Sequence, residues 1–84
     1  MFRVVLHKKA LRELQKLSPT LRERIVGALR ELARNPFTGD VKPIKGIRGL
    51  YRRRVGKYRI IYVVDFEENV IVILRIAPRE KAYK

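Results

Sequence analysis

Three arginines, Arg52, Arg54 and Arg59, lie in the segment YRRRVGKYRIIY (Tyr51 to Tyr62), whose other residues are mostly aromatic or β-branched and belong in a strand. A guanidinium offers a planar fork of donors matched to two phosphate oxygens. A cluster of them is therefore suited to hold a phosphodiester and to stabilise negative charge added to it. Val55-Gly56-Lys57-Tyr58 reads as a two-residue hairpin loop, because glycine accepts the positive φ that the first central position demands. That loop sets the register: Val55 pairs with Tyr58, Arg54 with Arg59, Arg53 with Ile60, Arg52 with Ile61, and Tyr51 with Tyr62. Opposed residues share a face, so Arg52, Arg54 and Arg59 emerge together, and Tyr51, Arg53, Val55, Tyr58, Ile60 and Tyr62 emerge on the other side. Arg54 opposite Arg59 is repulsive, and a phosphate between them would cancel the repulsion. From Lys42 to Arg59 no acid intervenes, so no counter-ion is expected nearby. Arg53, on the apolar face, is expected along the edge with its stem covering apolar surface.

Other chemistries fit the composition poorly. There is no cysteine, which leaves no disulfide or thiolate metal site and suits a reducing, cytoplasmic compartment. His7 is the single histidine, so a paired-imidazole acid and base is excluded, and the residue is expected to cap or flank a helix. Glu13, Glu23, Glu31, Asp40, Asp65, Glu67, Glu68 and Glu80 are scattered, whereas two-metal phosphoryl chemistry needs converging oxygens; neither a metal nor a cofactor is expected. The formal net charge of +13 on 84 residues collects polyanions, with nucleic acid foremost. A heavily charged thermophile surface explains many charges but not their imbalance. A membrane partner is not expected, because the basic residues do not gather opposite one apolar helix face and no apolar run approaches the roughly 20 residues of a span.

A single domain, residues 1–84, must position these groups. Phe2 to Leu6 fits a strand. Ala10, Leu11, Leu14 and Leu17 recur at helical spacing, and Leu21, Ile25, Ala28, Leu29 and Leu32 form a second stripe ending at Asn35-Pro36. Between them either Ser18 caps with Pro19 in the first turn, or Thr20 caps with Glu23 in a capping box. After a loop through Thr38-Gly39-Asp40 comes a brief extended piece, Val41 to Lys45. Strands follow at Leu50 to Val55, Tyr58 to Asp65 and Val70 to Ala77, and Pro78 ends the sheet. The expected fold is α+β: an N-terminal strand, an antiparallel two-helix hairpin, and a small, mainly antiparallel twisted sheet of three to four strands packed on the helices.

The chain resembles the RelE/ParE superfamily of bacterial and archaeal toxins from toxin–antitoxin pairs, and within it the RelE branch. The similarity runs through the first strand, the two helices, the Asn-Pro stop, a block from Lys45 to Arg59 with glycines at 46, 49 and 56, the Ile-Ile-Tyr strand, and the terminal Arg-Glu-Lys-Ala-Tyr from Arg79 to Tyr83. The resemblance implies an mRNA interferase that enters the ribosomal A site, with a cognate antitoxin as partner through which the pair can bind its own operator DNA. It implies catalytic roles for Arg52, Arg54, Arg59, Arg79 and Tyr83, with Lys45, Arg48, Lys57 and Lys81 binding substrate. Arg52 and Arg54 stand where the toxins often carry lysine.

Such a site would need no metal. RNA carries its own nucleophile in the 2′-hydroxyl, so aligning that oxygen with the scissile phosphate and stabilising the added charge is a route to cleavage. Proton transfer is the open step: arginine stays protonated, leaving Tyr83, whose ordinary pKa is about 10, or Lys57, Lys81 or Lys84 as acceptors. The competing expectations are a ParE-like toxin that inhibits DNA gyrase by binding, and a basic RNA-binding domain without catalysis.

Overall fold

The computed structural model describes residues 1–82. Strand β1 (Arg3–Leu6) leads into helices α1 (Lys8–Gln15) and α2 (Pro19–Arg34), followed by β2 (Asp40–Pro43), β3 (Leu50–Val55), β4 (Tyr58–Asp65) and β5 (Val70–Pro78). The strands form one sheet in the order β1-β5-β4-β3-β2. The sheet has five strands where three to four were expected. The brief extended piece pairs antiparallel with β3, and β1 pairs parallel with β5, placing Leu6 beside Ile73.

Local signals set the helix ends. The His7 imidazole accepts a hydrogen bond from the Lys9 N–H at 3.2 Å, capping α1. Ser18, not Thr20, caps α2: its hydroxyl accepts from the Leu21 N–H at 3.4 Å, with Pro19 in the first turn. Arg22, which sequence periodicity places toward water, folds back to donate to the Leu14, Gln15 and Leu17 carbonyls at the end of α1 and in the turn after it.

The two helices cover one face of the sheet. Ala10, Leu17, Ile25, Ala28, Leu29 and Leu32 bury against Ile60, Tyr62, Val64, Ile71, Ile73 and Ile76. Each of those buried helical residues is worth about 1.5–3 kcal/mol of burial where it is large and aliphatic. Beyond the end of β1, the open edge of β5 is closed by a side chain. The Glu13 carboxylate accepts the Ile76 N–H at 2.9 Å and pairs with Arg75, also at 2.9 Å. A bulge puts Ile61 opposite Arg75 but Tyr62 opposite Ile73, leaving Leu74 as the extra residue.

The opposite face is not bare. Leu50, Ile61 and Ala77 form a second apolar cluster, joined by Ala82 from the C-terminal turn and flanked by Ile44, Val63 and Leu74. The chain after Pro78 therefore doubles back onto this face, beside the arginines.

Candidate active site

The hairpin register is the one its loop dictates. Gly56 sits at φ +58°, and every pair from Tyr51–Tyr62 to Val55–Tyr58 forms as the two-residue loop requires. Arg52, Arg54 and Arg59 share the face away from the helices, while Tyr51, Val55, Tyr58, Ile60 and Tyr62 join the main core. Asp40, Arg54, Arg59 and Ala77 stand directly opposite one another in succession across β2, β3, β4 and β5.

A cleft of about 340 Å³ opens at the hairpin end of this face, lined by Arg54, Gly56, Lys57, Arg59, Arg79 and Glu80. Arg79 reaches it because Pro78 ends β5 and the Arg79 N–H then bonds the Lys57 carbonyl at 3.1 Å, pinning the departing chain to the hairpin loop. Alternation along the strand could not place Arg79; this single backbone bond does. Arg52 lies two residues along β3 from Arg54 on the same face, beside the cleft. Lys45 and Arg48 are exposed in the turn before β3, at the far end of that strand and on the order of 15 Å from Arg54 by strand rise. Lys81 is exposed and does not line the cleft. Tyr83 lies outside the described residues, as does Lys84.

Two expectations are corrected here. The first is the lack of a counter-ion. Asp40 Oδ1 pairs with Arg52 Nη1 at 3.1 Å, and Oδ2 faces Arg54 Nε at 3.5 Å. The same Arg52 nitrogen also donates to the Asp40 carbonyl at 3.1 Å. The hydrogen bond from Arg52 and the charges of Arg52, Arg54 and Lys42 hold the Asp40 carboxyl below its ordinary value of 3.8. The absence of acids between residues 42 and 59 misled because the acid comes from the neighbouring strand, directly opposite Arg54. The second concerns Arg53. It is not spread along the edge: its side chain is only 13% exposed, and Nη2 donates to Glu31 of α2 at 2.7 Å.

Burial also differs within the cluster. Arg52 and Arg59 are 8% and 5% exposed, whereas Arg54 is open to solvent. Around the cleft stand five basic side chains, Arg52, Arg54, Lys57, Arg59 and Arg79, and two acidic ones, Asp40 and Glu80. The balance stays positive, in a recess where reduced dielectric strengthens each charge. Tyr62 is no acid or base for this site: it faces the core, donates to the Pro36 carbonyl, and burial pushes its phenol up. Among the described residues no group of three or more His, Cys, Asp or Glu could hold a metal ion, and no helix is long and apolar enough to cross a membrane.

Comparison with known proteins adds a common pattern. Residues 4–83 match the model for the "ParE toxin of type II toxin-antitoxin system, parDE". The putative toxin RelE1 of Methanocaldococcus jannaschii is 37% identical over 86 residues, covering 99% of this chain and 96% of that protein. A protein of Escherichia coli described as mRNA interferase toxin RelE is 29% identical over 77 residues, covering 89% and 80%. Among solved structures, the archaeal RelE–RelB complex from Pyrococcus horikoshii contains a chain that superposes with a TM-score of 0.82 at 35% identity, covering 96% of this chain and 98% of that one.

Proposed function

The chain belongs to the ParE toxin family of type II toxin–antitoxin systems, within the RelE/ParE superfamily, and from that premise we propose that it is a ribosome-dependent messenger-RNA endoribonuclease restrained by a cognate antitoxin. The observation that carries this reading is the convergence of Arg54, Arg59 and Arg79 on one cleft, with Arg52 beside it. In the proposed reaction the 2′-oxygen of the message attacks the adjacent phosphorus and the 5′-oxygen of the next nucleotide leaves. The products are a 2′,3′-cyclic phosphate and a 5′-hydroxyl, and no metal takes part. The guanidiniums stabilise the extra negative charge of the transition state, while Lys57, with Lys45, Arg48 and Lys81 further out, holds the strand. Tyr83 stacks on the substrate, as the resemblance implies.

Alignment is what the small cleft lacks. A shallow basic recess gives an RNA strand many equivalent registers, whereas in-line attack requires one. A ribosome that presents the message in its A site supplies that geometry. The antitoxin is assigned to the basic face, in keeping with the Pyrococcus horikoshii protein, which is found in complex with RelB. Operator binding by the pair would then run through the antitoxin.

The test maps message ends by primer extension on translating ribosomes. Arg59→Ala is expected to lower cleavage by about 10²–10³-fold, the usual effect of removing one preorganised charge stabiliser. Arg59→Lys keeps the charge without the planar fork and should recover part of it, which separates lost chemistry from lost folding. Cleavage by Arg59→Ala at the parent rate sinks the proposal. The family model bears the ParE name, so a supercoiling assay is run alongside; gyrase inhibition without message cleavage would favour the ParE-like reading.

A further inference from the structure

Asp40 touches two members of the arginine cluster, Arg52 and Arg54, and nothing in the proposed reaction uses it. It stands at the start of β2, opposite Arg54 in the ladder, and its carboxylate spans Arg52 and Arg54 with one oxygen toward each. A carboxylate so placed has two opposed effects. It competes with phosphate for guanidinium donors, and it fixes the orientation of side chains that carry much rotamer freedom.

The contacts bear on the balance between the two. Asp40 engages Arg52 through Nη1 alone, with both its carboxylate and its carbonyl as acceptors, and faces Arg54 only at Nε. The remaining N–H groups of each fork are left to donate elsewhere. Arg52 is held firmly, with two acceptors on one nitrogen and a side chain 10% exposed, while Arg54 is 47% exposed and is approached from one side. The like-charged neighbours Arg54 and Arg59, opposed across β3 and β4, would otherwise turn apart.

The geometry points to Asp40 as a positioning residue for the cleavage site: by bridging Arg52 and Arg54 from the β2 side it fixes the orientation of both guanidiniums beside the cleft, at some expense in affinity for RNA. This rests on the proposed endoribonuclease function but concerns a residue with no part in the bond-breaking itself. It makes Asp40 raise the rate while weakening binding, a combination that neither a simple electrostatic brake nor a purely structural residue produces.

The test compares parent, Asp40→Asn and Asp40→Glu in three measurements: affinity for a fluorescein-labelled single-stranded RNA, single-turnover cleavage on message-programmed ribosomes, and the side-chain Nε–H NMR signals of Arg52 and Arg54, assigned with lysine variants. In Asp40→Asn, RNA affinity is expected to rise about two- to threefold and the cleavage rate at saturation to fall about tenfold, with both Nε–H signals broadened by exchange. Asp40→Glu, which keeps the charge one methylene further out, should retain most of the rate. Unchanged Nε–H signals in Asp40→Asn overturn the inference, whatever happens to cleavage. So does an unchanged or higher rate, which would make Asp40 only a brake, and so does a parallel fall in affinity and rate with a lower melting temperature, which would make it structural. A parent protein that cuts no message defeats the toxin-nuclease reading instead. The NMR signals and RNA affinity then still decide whether Asp40 orders the two guanidiniums.

Discussion

Arg53 shows how much one side chain's surroundings decide. Its guanidinium lies under the helices with Nη2 on Glu31, while Nε and Nη1 are buried without a hydrogen-bond partner among the described residues. A charge in that position depends on its one acid. Glu31→Gln is expected to destabilise by about 1–3 kcal/mol, read as a lower urea midpoint with unchanged slope; an unchanged midpoint would mean the pair contributes nothing. Gly39 meets the same group from the other side. It sits at φ +86°, and a Cβ there would lie 2.5 Å from Arg53 Cζ. Gly39→Ala should therefore also destabilise, by about 1–3 kcal/mol, and its effect should not add to that of Glu31→Gln, because both displace one guanidinium. Asp40 gives a prediction in pH. Its carboxyl titrates below 3.8 in the folded chain and at its ordinary value when unfolded, so its contribution to stability is complete above the unfolded value and lost as pH falls through the folded one. Melting temperatures of parent and Asp40→Asn should thus converge as pH drops below about 4; parallel curves would refute the link. Neither Asp40 nor Glu31 stood out in the sequence. Asp40 follows Thr-Gly in what reads as a loop, and Glu31 occupies a polar helical position like its neighbours.

At the scale of elements, the hairpin was the most legible part of the chain and the edge of β5 the least. A two-residue loop with glycine at its first central position leaves one register, and alternation then assigns every side chain from Tyr51 to Tyr62 to a face. Local chemistry sufficed because the contacts are local. The outer edge of β5 is different. Glu13 looks like one more charge on the wet side of α1, yet it is tied to Arg75 and to the Ile76 N–H, 62 and 63 residues away. Its side chain is 20% exposed and that of Arg75 is 15% exposed. No periodicity in α1 marks it, since the partner is a strand edge created by the early end of β1. Breaking a paired charge this far from solvent typically costs about 3–5 kcal/mol. Glu13→Ala is accordingly expected to lower the melting temperature by 10 °C or more, at roughly 4–8 °C per kcal/mol for a domain of this size. Arg75→Met in the same background separates the two contributions, because a loss that persists comes from the uncovered Ile76 N–H and not from the ion pair. A loss of only a degree or two in Glu13→Ala would show that the edge is satisfied by solvent.

For the whole molecule, a net charge of +13 announces a polyanion partner but overstates what a strand of RNA would meet. Arg75, Arg53, Arg52 and Arg54 are engaged by Glu13, Glu31 and Asp40, acids 12 or more residues distant in the chain, which composition cannot pair. Of the other basic residues, Lys57, Arg59 and Arg79 lie around the cleft at the hairpin end, and Lys45 and Arg48 at the far end of β3. Salt dependence measures how many of them a bound strand neutralises, because log K falls with log salt at about −0.7 per phosphate contact for single strands. If binding is confined to the cleft and its margin, three to five contacts give a slope of about −2 to −4. Indiscriminate binding over the whole surface would approach about −9. The sheet face joins the two basic regions, so a strand lying along β3 should feel both. Lys45→Ala and Arg48→Ala are each expected to flatten the slope by about 0.7, and Arg59→Ala to do the same while also lowering cleavage on ribosomes by about 10²–10³-fold. Should Lys45→Ala and Arg48→Ala leave the slope untouched, the message contacts only the hairpin end, and the assignment of those two residues to substrate binding falls while that of Arg59 stands.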